Sequence, residues 1–145
     1  MFNRILIVCS GNICRSPFAA SLLTHLVPES EVRSAGILTK KSEMVGFAAD
    51  QTIQSLAEQL GLDLTSHSAK QLTQEDCVWS DIILVMEPEQ INKVSEVCLR
   101  SRGKTFLLGQ WGEGSIKDPF RCTELHYQAA VTQIKSACES WSKKI

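Results

Sequence analysis

Cys9 and Arg15 stand at the two ends of the segment Cys9-Ser10-Gly11-Asn12-Ile13-Cys14-Arg15, and Ser16 follows directly. A cysteine sulfur is a strong nucleophile once ionised, and a guanidinium can hold two oxygens of one phosphate in a planar fork. Between the two, Gly11 reaches backbone angles closed to other residues and Asn12 tolerates left-handed ones. The chain can therefore curl and turn several N–H groups onto one anion. The Ser16 hydroxyl is near enough in sequence to donate to the Cys9 sulfur. A nucleophile that displaces an oxygen leaving group also needs a proton donor. Asp118, ahead of Pro119 in a later loop, is the candidate, although an Asp-Pro pair by itself is ordinarily a turn.

The spacing alone is cheap. Cys98 and Cys138 also have a basic residue six positions on, Lys104 and Lys144, but lysine cannot form the fork. On spacing alone, Cys9 could equally be a small buried residue at a strand end and Arg15 a surface charge. The elements around the segment favour the anion loop. Ile5-Leu6-Ile7-Val8 is a continuous apolar run, as expected of a parallel strand covered on both faces. Ser16-Pro17 reads as a helix N-cap followed by proline at the first helical position. Phe18, Ala19, Leu22, Leu23 and Leu26 then repeat at helical spacing up to Pro28. A helix that starts right after the loop lends its N-terminal N–H groups to an anion.

Further along, a short strand is expected around Val32, and a helix from about Phe47 to Leu60 with Gly61 as its C-terminal cap. Ile82 to Met86 reads as a buried strand, Pro88 to Val97 as a helix and Phe106 to Leu108 as a last strand. A glycine-bearing loop from Gly109 to Pro119 and a helix from Leu125 to Trp141 complete the chain. This alternation predicts an α/β fold: a single open, mostly four-stranded parallel sheet with helices on both faces and a phosphate-binding loop after the first strand. In such folds ligands bind beyond the carboxyl ends of the strands, where Cys9 and Asp118 both fall.

The 145 residues favour one domain, 1–145, large enough to bury roughly 70% of its unfolded surface without a metal or disulfide. A net charge of -1 offers no general attraction to nucleic acid or an anionic membrane, so anion specificity must be local. No apolar run is long enough for a membrane span or signal core, which points to a cytoplasmic protein. The six cysteines are then expected to be reduced, and none forms a Cys-x2-Cys zinc pattern.

Val8-Cys9-Ser10-Gly11-Asn12-Ile13-Cys14-Arg15-Ser16-Pro17 resembles the signature of the low-molecular-weight protein tyrosine phosphatases. Ser34-Ala35-Gly36, His67-Ser68-Ala69-Lys70, Asp81 to Met86 and Asp118-Pro119 resemble further segments of that family. The resemblance implies a phosphotyrosine hydrolase acting through a phosphocysteine, with Cys9 as nucleophile and Asp118 as acid and then base. It implies that Arg15 and the amides of Ser10, Gly11, Asn12, Ile13 and Cys14 hold the phosphate, and that Ser16 assists the thiolate. It also implies that Asn12 and Ser34 brace the loop and that Phe120 walls the site, with no metal or cofactor. Phe120 stands where the family usually has tyrosine, and Glu43-Met44 replaces an aromatic residue of eukaryotic members, so the mouth should differ in shape and charge. Gln110-Trp111 and Phe120-Arg121 resemble the bacterial members paired with tyrosine kinases of capsule and exopolysaccharide synthesis, which implies a tyrosine-rich kinase tail as substrate.

Cys14 is a possible redox partner of Cys9, set against the alternative of a plain buried thiol. Cys77, Cys98, Cys122 and Cys138 read as packing thiols, His67 as a loop hydrogen-bonding group and Trp111 as a residue bordering the mouth. Three rival functions remain open: a thiol-linked arsenate reductase on the same fold, a phosphotyrosine-binding module without turnover, and an adaptor in which the loop only binds phosphate structurally.

Overall fold

A computed structural model describes residues 2–145. Four strands form one open, all-parallel sheet in the order β2-β1-β3-β4. They are β1 (Arg4–Cys9), β2 (Glu31–Gly36), β3 (Ile82–Val85) and β4 (Thr105–Leu107). The helices are α1 (Arg15–Leu26), α2 (Gln51–Gln59), α3 (Gln74–Trp79), α4 (Pro88–Val97) and α5 (Glu124–Ser142).

The continuous apolar strands divide by alternation into two cores. Ile5, Ile7, Ile82 and Leu84 face α1, α2 and α5, packing with Phe18, Leu23, Ile53, Ile134 and Trp141. Leu6, Val8, Ile83 and Val85 face α3 and α4, packing with Cys77, Val94 and Cys98. Successive strand side chains point to opposite faces, so an all-apolar strand is what two covered faces require. Each such side chain contributes about 1.5–3 kcal/mol on burial. Among the described residues no helix is long and apolar enough to cross a membrane.

Several boundaries differ from the sequence reading for local reasons. Helix α1 begins at Arg15, so Ser16 is not its cap; the cap position is Cys14, which supplies no side-chain hydrogen bond. Helix α2 begins only at Gln51, because Asp50 Oδ1 accepts the N–H groups of Thr52 and Ile53 and closes the helix there, while Phe47 lies exposed ahead of it. The short helix α3 was not anticipated. Its signal was present as a reciprocal cap, in which Thr73 Oγ1 accepts from Asp76 N and Asp76 Oδ2 accepts from Thr73 N. The last strand is shifted one residue toward the N-terminus, to Thr105–Leu107.

Strand β2 ends under the loop that follows β1. A Cβ on Gly36 would collide with Thr39 Oγ1 and lie 2.8 Å from the Ser10 carbonyl oxygen and 3.0 Å from Asn12 N. Two of these neighbours are backbone and cannot rotate away. Gly36→Ala is expected to cost about 1–3 kcal/mol in denaturant unfolding and to reduce anion binding by displacing the loop. An unchanged midpoint would show that the loop yields freely.

Candidate active site

The loop from Cys9 to Arg15 joins the end of β1 to the start of α1. Its Gly11, Ile13 and Cys14 N–H groups find no acceptor among the described residues. Helix α1 likewise has neither a side-chain cap nor an acidic residue in its first turn. A helix N-terminus left bare in this way, beside three unpaired loop amides, is arranged to be capped by an anion.

Asn12 holds the curl. It sits in the left-handed region at φ 61° and is fully buried. Its Nδ2 donates to Ser16 Oγ at 2.8 Å and Ser34 Oγ at 3.0 Å, while its Oδ1 accepts from Lys70 N at 2.9 Å. His67 Nε2 donates to the Asn12 carbonyl at 2.6 Å. Ser16 Oγ, already accepting from Asn12, lies 2.9 Å from Cys9 Sγ, close enough to donate its hydrogen to an anionic sulfur. The Asn12 N–H also reaches the sulfur, at 3.3 Å. Negative charge on Cys9 thus has two donors aimed at it.

Burial depresses the pKa of His67 below 6.5, outweighing the opposing bond to the Asn12 carbonyl. The folded form therefore prefers the neutral ring, whereas the unfolded chain protonates near 6.5. Above that pH neither state is charged and the group contributes no pH dependence. As pH falls through 6.5 toward the lowered folded value, the unfolded state takes up the proton first and stability is lost. Denaturant unfolding across this window should show that slope, and His67→Gln should remove part of it. Equal slopes in the two proteins would rule out His67 as its source.

Arg15 is 1% exposed. Its Nη1 donates to Glu87 Oε1 at 2.6 Å and to the Ile116 carbonyl at 2.7 Å. Its Nη2 lies 3.4 Å from Ser10 Oγ and 3.7 Å from Asp118 Oδ2, and its Nε has no partner among the described residues. Burial alone would lower the Arg15 pKa, but Cys9, Glu87 and Asp118 together raise it beyond its ordinary value. The guanidinium stays charged, fixed on one side and open along the other.

Asp118 arrives from the loop after β4. Ile116 N donates to the Met86 carbonyl at 2.9 Å while the Ile116 carbonyl holds Arg15, so the same residue ties this loop to β3 and to the guanidinium. The Asp118 side chain is 43% exposed, and its Oδ1 accepts from Phe120 N at 3.0 Å. Cys9, Cys14, Arg15 and Asp118 share a cavity of about 290 Å³, also lined by Ser10, Gly11 and Ser42. Its apolar walls are Ile13, Leu38, Met44 and Phe120.

Most residues singled out in the sequence meet here. The side chains of Asn12 and Ser16 are exceptions: they are buried and brace the loop with Ser34 instead of lining the cavity. Trp111 does not border the mouth. It packs on Trp141 with ring centroids 4.6 Å apart and lines a separate cavity of about 220 Å³ against α5. Cys77, Cys98 and Cys138 are buried packing thiols as expected, but Cys122 is exposed. Glu87, Gln90, Leu38 and Ser42 were not anticipated. Glu87 follows β3 at the carboxyl edge of the sheet, and that position was the available signal.

The family model described as low molecular weight phosphotyrosine protein phosphatase matches residues 4–145. A probable low molecular weight protein-tyrosine-phosphatase, AmsI of Erwinia amylovora, is 40% identical over 97% of this chain and 96% of its own. The low molecular weight protein-tyrosine-phosphatase Wzb of Escherichia coli K12 is 39% identical over 100% of this chain and 97% of its own. The structure of Vibrio vulnificus Wzb in complex with benzylphosphonate superposes with a TM-score of 0.97 at 39% identity, covering 100% of both chains.

Proposed function

The chain belongs to the low-molecular-weight phosphotyrosine protein phosphatase family, and on that premise we propose that it hydrolyses phosphotyrosine in proteins through a covalent phosphocysteine on Cys9. One observation carries the reading. The Cys9 sulfur faced by two donors, the half-open Arg15 guanidinium and the Asp118 carboxyl all meet in one cavity with apolar walls.

The phosphate sits against the free loop amides, with Arg15 Nε and Nη2 forming the fork. Cys9 attacks phosphorus, the bond from phosphorus to the phenolic oxygen breaks, and protonated Asp118 gives its proton to that oxygen. Asp118 then takes a proton from water, which attacks phosphorus and breaks the S–P bond. The returning sulfur charge is met by the Ser16 hydroxyl and the Asn12 N–H. The ring of the substrate lies between Ile13, Leu38, Met44 and Phe120. Benzylphosphonate, bound by the Vibrio vulnificus relative, has the same pairing of ring and phosphorus group.

Arsenate reduction is the weaker reading, since it needs a relay cysteine pair and Cys77 and Cys98 are packed into the core under α3 and α4. The protein substrate is the tyrosine-rich tail of a bacterial tyrosine kinase of exopolysaccharide synthesis, met in the cytoplasm. The bacterial relatives and the family-like Gln110-Trp111 and Phe120-Arg121 pairs support this. Incubation with p-nitrophenyl phosphate and with such a phosphorylated tail, in EDTA, tests both levels. Hydrolysis of both is expected. Turnover of the small ester with an untouched tail would overturn the kinase assignment, and no turnover of either would overturn the enzyme.

Cys9 and Cys14 line the same cavity as free thiols. Burial, then Asp50, Asp118 and Cys9, push the Cys14 pKa upward against the pull of Arg15, so Cys14 stays a thiol while Cys9 reacts. Peroxide should convert Cys9 to a sulfenic acid, which Cys14 then condenses with, releasing water and leaving a disulfide. Mass spectrometry of peroxide-treated protein should find a Cys9–Cys14 linkage and activity that returns with dithiothreitol. Sulfinic acid at Cys9 with no linkage would eliminate this protective role.

A further inference from the structure

Among the described residues, the Ser10 hydroxyl is approached only by donors. Gln90, 5% exposed at the start of α4, presents its Oε1 to two backbone N–H groups, Met86 at 2.9 Å and Glu87 at 3.0 Å. Those bonds decide which end of the amide is which. Its Nε2, which can only donate, therefore faces Ser10 Oγ at 3.2 Å. Arg15 Nη2, which also can only donate, reaches the same oxygen more loosely at 3.4 Å. With an N–H directed at each lone pair, the hydroxyl has only its hydrogen left to give. No acceptor for that hydrogen lies within hydrogen-bonding distance among the described residues, and Ser10 lines the cavity that holds Cys9 and Arg15.

We propose that the Ser10 hydroxyl donates to a phosphoryl oxygen of the bound substrate, and that Gln90 is the positioning residue that keeps it in the donor orientation. The inference rests on the phosphatase reading and adds to it a side-chain donor beyond the loop amides and Arg15. Its logic is satisfiability: a hydroxyl that already accepts twice cannot compete with the phosphate for a donor, and can only supply one. Gln90 matters because its amide cannot turn over without exposing its NH₂ to the two N–H groups it now accepts. It thereby links the N-terminus of α4 to the chemistry at the end of β1.

The test compares wild type with Ser10→Ala, Ser10→Thr, Gln90→Glu and the Ser10→Ala/Gln90→Glu double variant. Calorimetric binding of inorganic phosphate and kcat/KM for p-nitrophenyl phosphate are the readouts. Gln90→Glu retains an oxygen to accept from Met86 and Glu87, but its other oxygen now accepts from Ser10 and turns the hydroxyl away from the cavity. A lost hydrogen bond to a charged group corresponds to about tenfold or more in affinity. Ser10→Ala should lose that factor in both readouts and Ser10→Thr should retain most of it. Repulsion by the new carboxylate acts whether or not the hydroxyl is present, so the signature of positioning is that Gln90→Glu costs about tenfold less in the Ser10→Ala background than in wild type. Phosphate affinity and kcat/KM unchanged in Ser10→Ala would overturn the donor role. An equal cost of Gln90→Glu in both backgrounds would overturn the positioning role. Phosphate binding needs no turnover, so a wild type that binds phosphate without hydrolysing the ester would count against the phosphatase reading while leaving these comparisons decisive.

Discussion

Cys9→Ser is expected to reduce hydrolysis of p-nitrophenyl phosphate by about 10⁴-fold or more while leaving the fold and the anion loop intact. The expectation follows from what the substitution keeps. A serine oxygen can still accept from the Asn12 N–H and pair with Ser16, the two contacts that hold the sulfur now. Asn12 remains clamped by Ser16, Ser34, Lys70 and His67, so the left-handed turn has no reason to relax. What disappears is the nucleophile, because an alcohol oxygen is a far weaker nucleophile than a cysteine sulfur. Arg15 loses one of the negative neighbours that raise its pKa but keeps Glu87 and Asp118. The variant should therefore still bind phosphotyrosine, since the loop amides and Arg15 are untouched. Steady-state turnover together with capture of a phosphotyrosine peptide separates the outcomes. Turnover near the wild-type rate would remove Cys9 from the mechanism. Loss of both turnover and binding would mean that Cys9 is chiefly structural.

Asp118→Asn should lower kcat/KM by about 10²–10⁴-fold, within the usual contribution of a positioned acid. Asparagine is the sharper choice over alanine because its Oδ1 can still accept from Phe120 N and hold the wall of the cavity in place. The proton is then the main thing removed. The loss should depend on the leaving group: phosphotyrosine, which departs as a phenolate of pKa about 10, needs the proton more than p-nitrophenyl phosphate does. The ratio kcat/KM isolates this step, since it reports events up to transfer of phosphorus to Cys9. An equal penalty on both esters would assign the proton to another donor.

The curl of the loop from Cys9 to Arg15 was legible because its causes are local. An apolar run too short for anything but a strand, a glycine and an asparagine at the curl, and a helix beginning at once after them all lie within one stretch of chain. The parallel sheet was legible for a similar reason: strands that alternate with helices and are apolar on both faces have few other ways to pack. Boundaries were read less well where a single side chain decides them. Asp50 halts α2 short of Phe47 by accepting two N–H groups, and Thr73 with Asp76 builds a helix too short to leave a periodic pattern.

The division between sequence and tertiary structure runs through Arg15. Its place after the cysteine suggests a phosphate fork. Which of its nitrogens are free depends on Glu87 and the Ile116 carbonyl, 72 and 101 positions away. The roles of Asn12 and Ser16 as braces depend likewise on Ser34, His67 and Lys70. Trp111 was misplaced because a tryptophan in the loop that leads to Asp118 has no local signal telling whether it turns to the mouth or, as here, onto Trp141. Backbone curvature and helix starts are set by residues a few positions apart, so the chain declares them. The identity of a hydrogen-bond partner is set by which strand ends the sheet brings to one edge, and only the folded molecule supplies that.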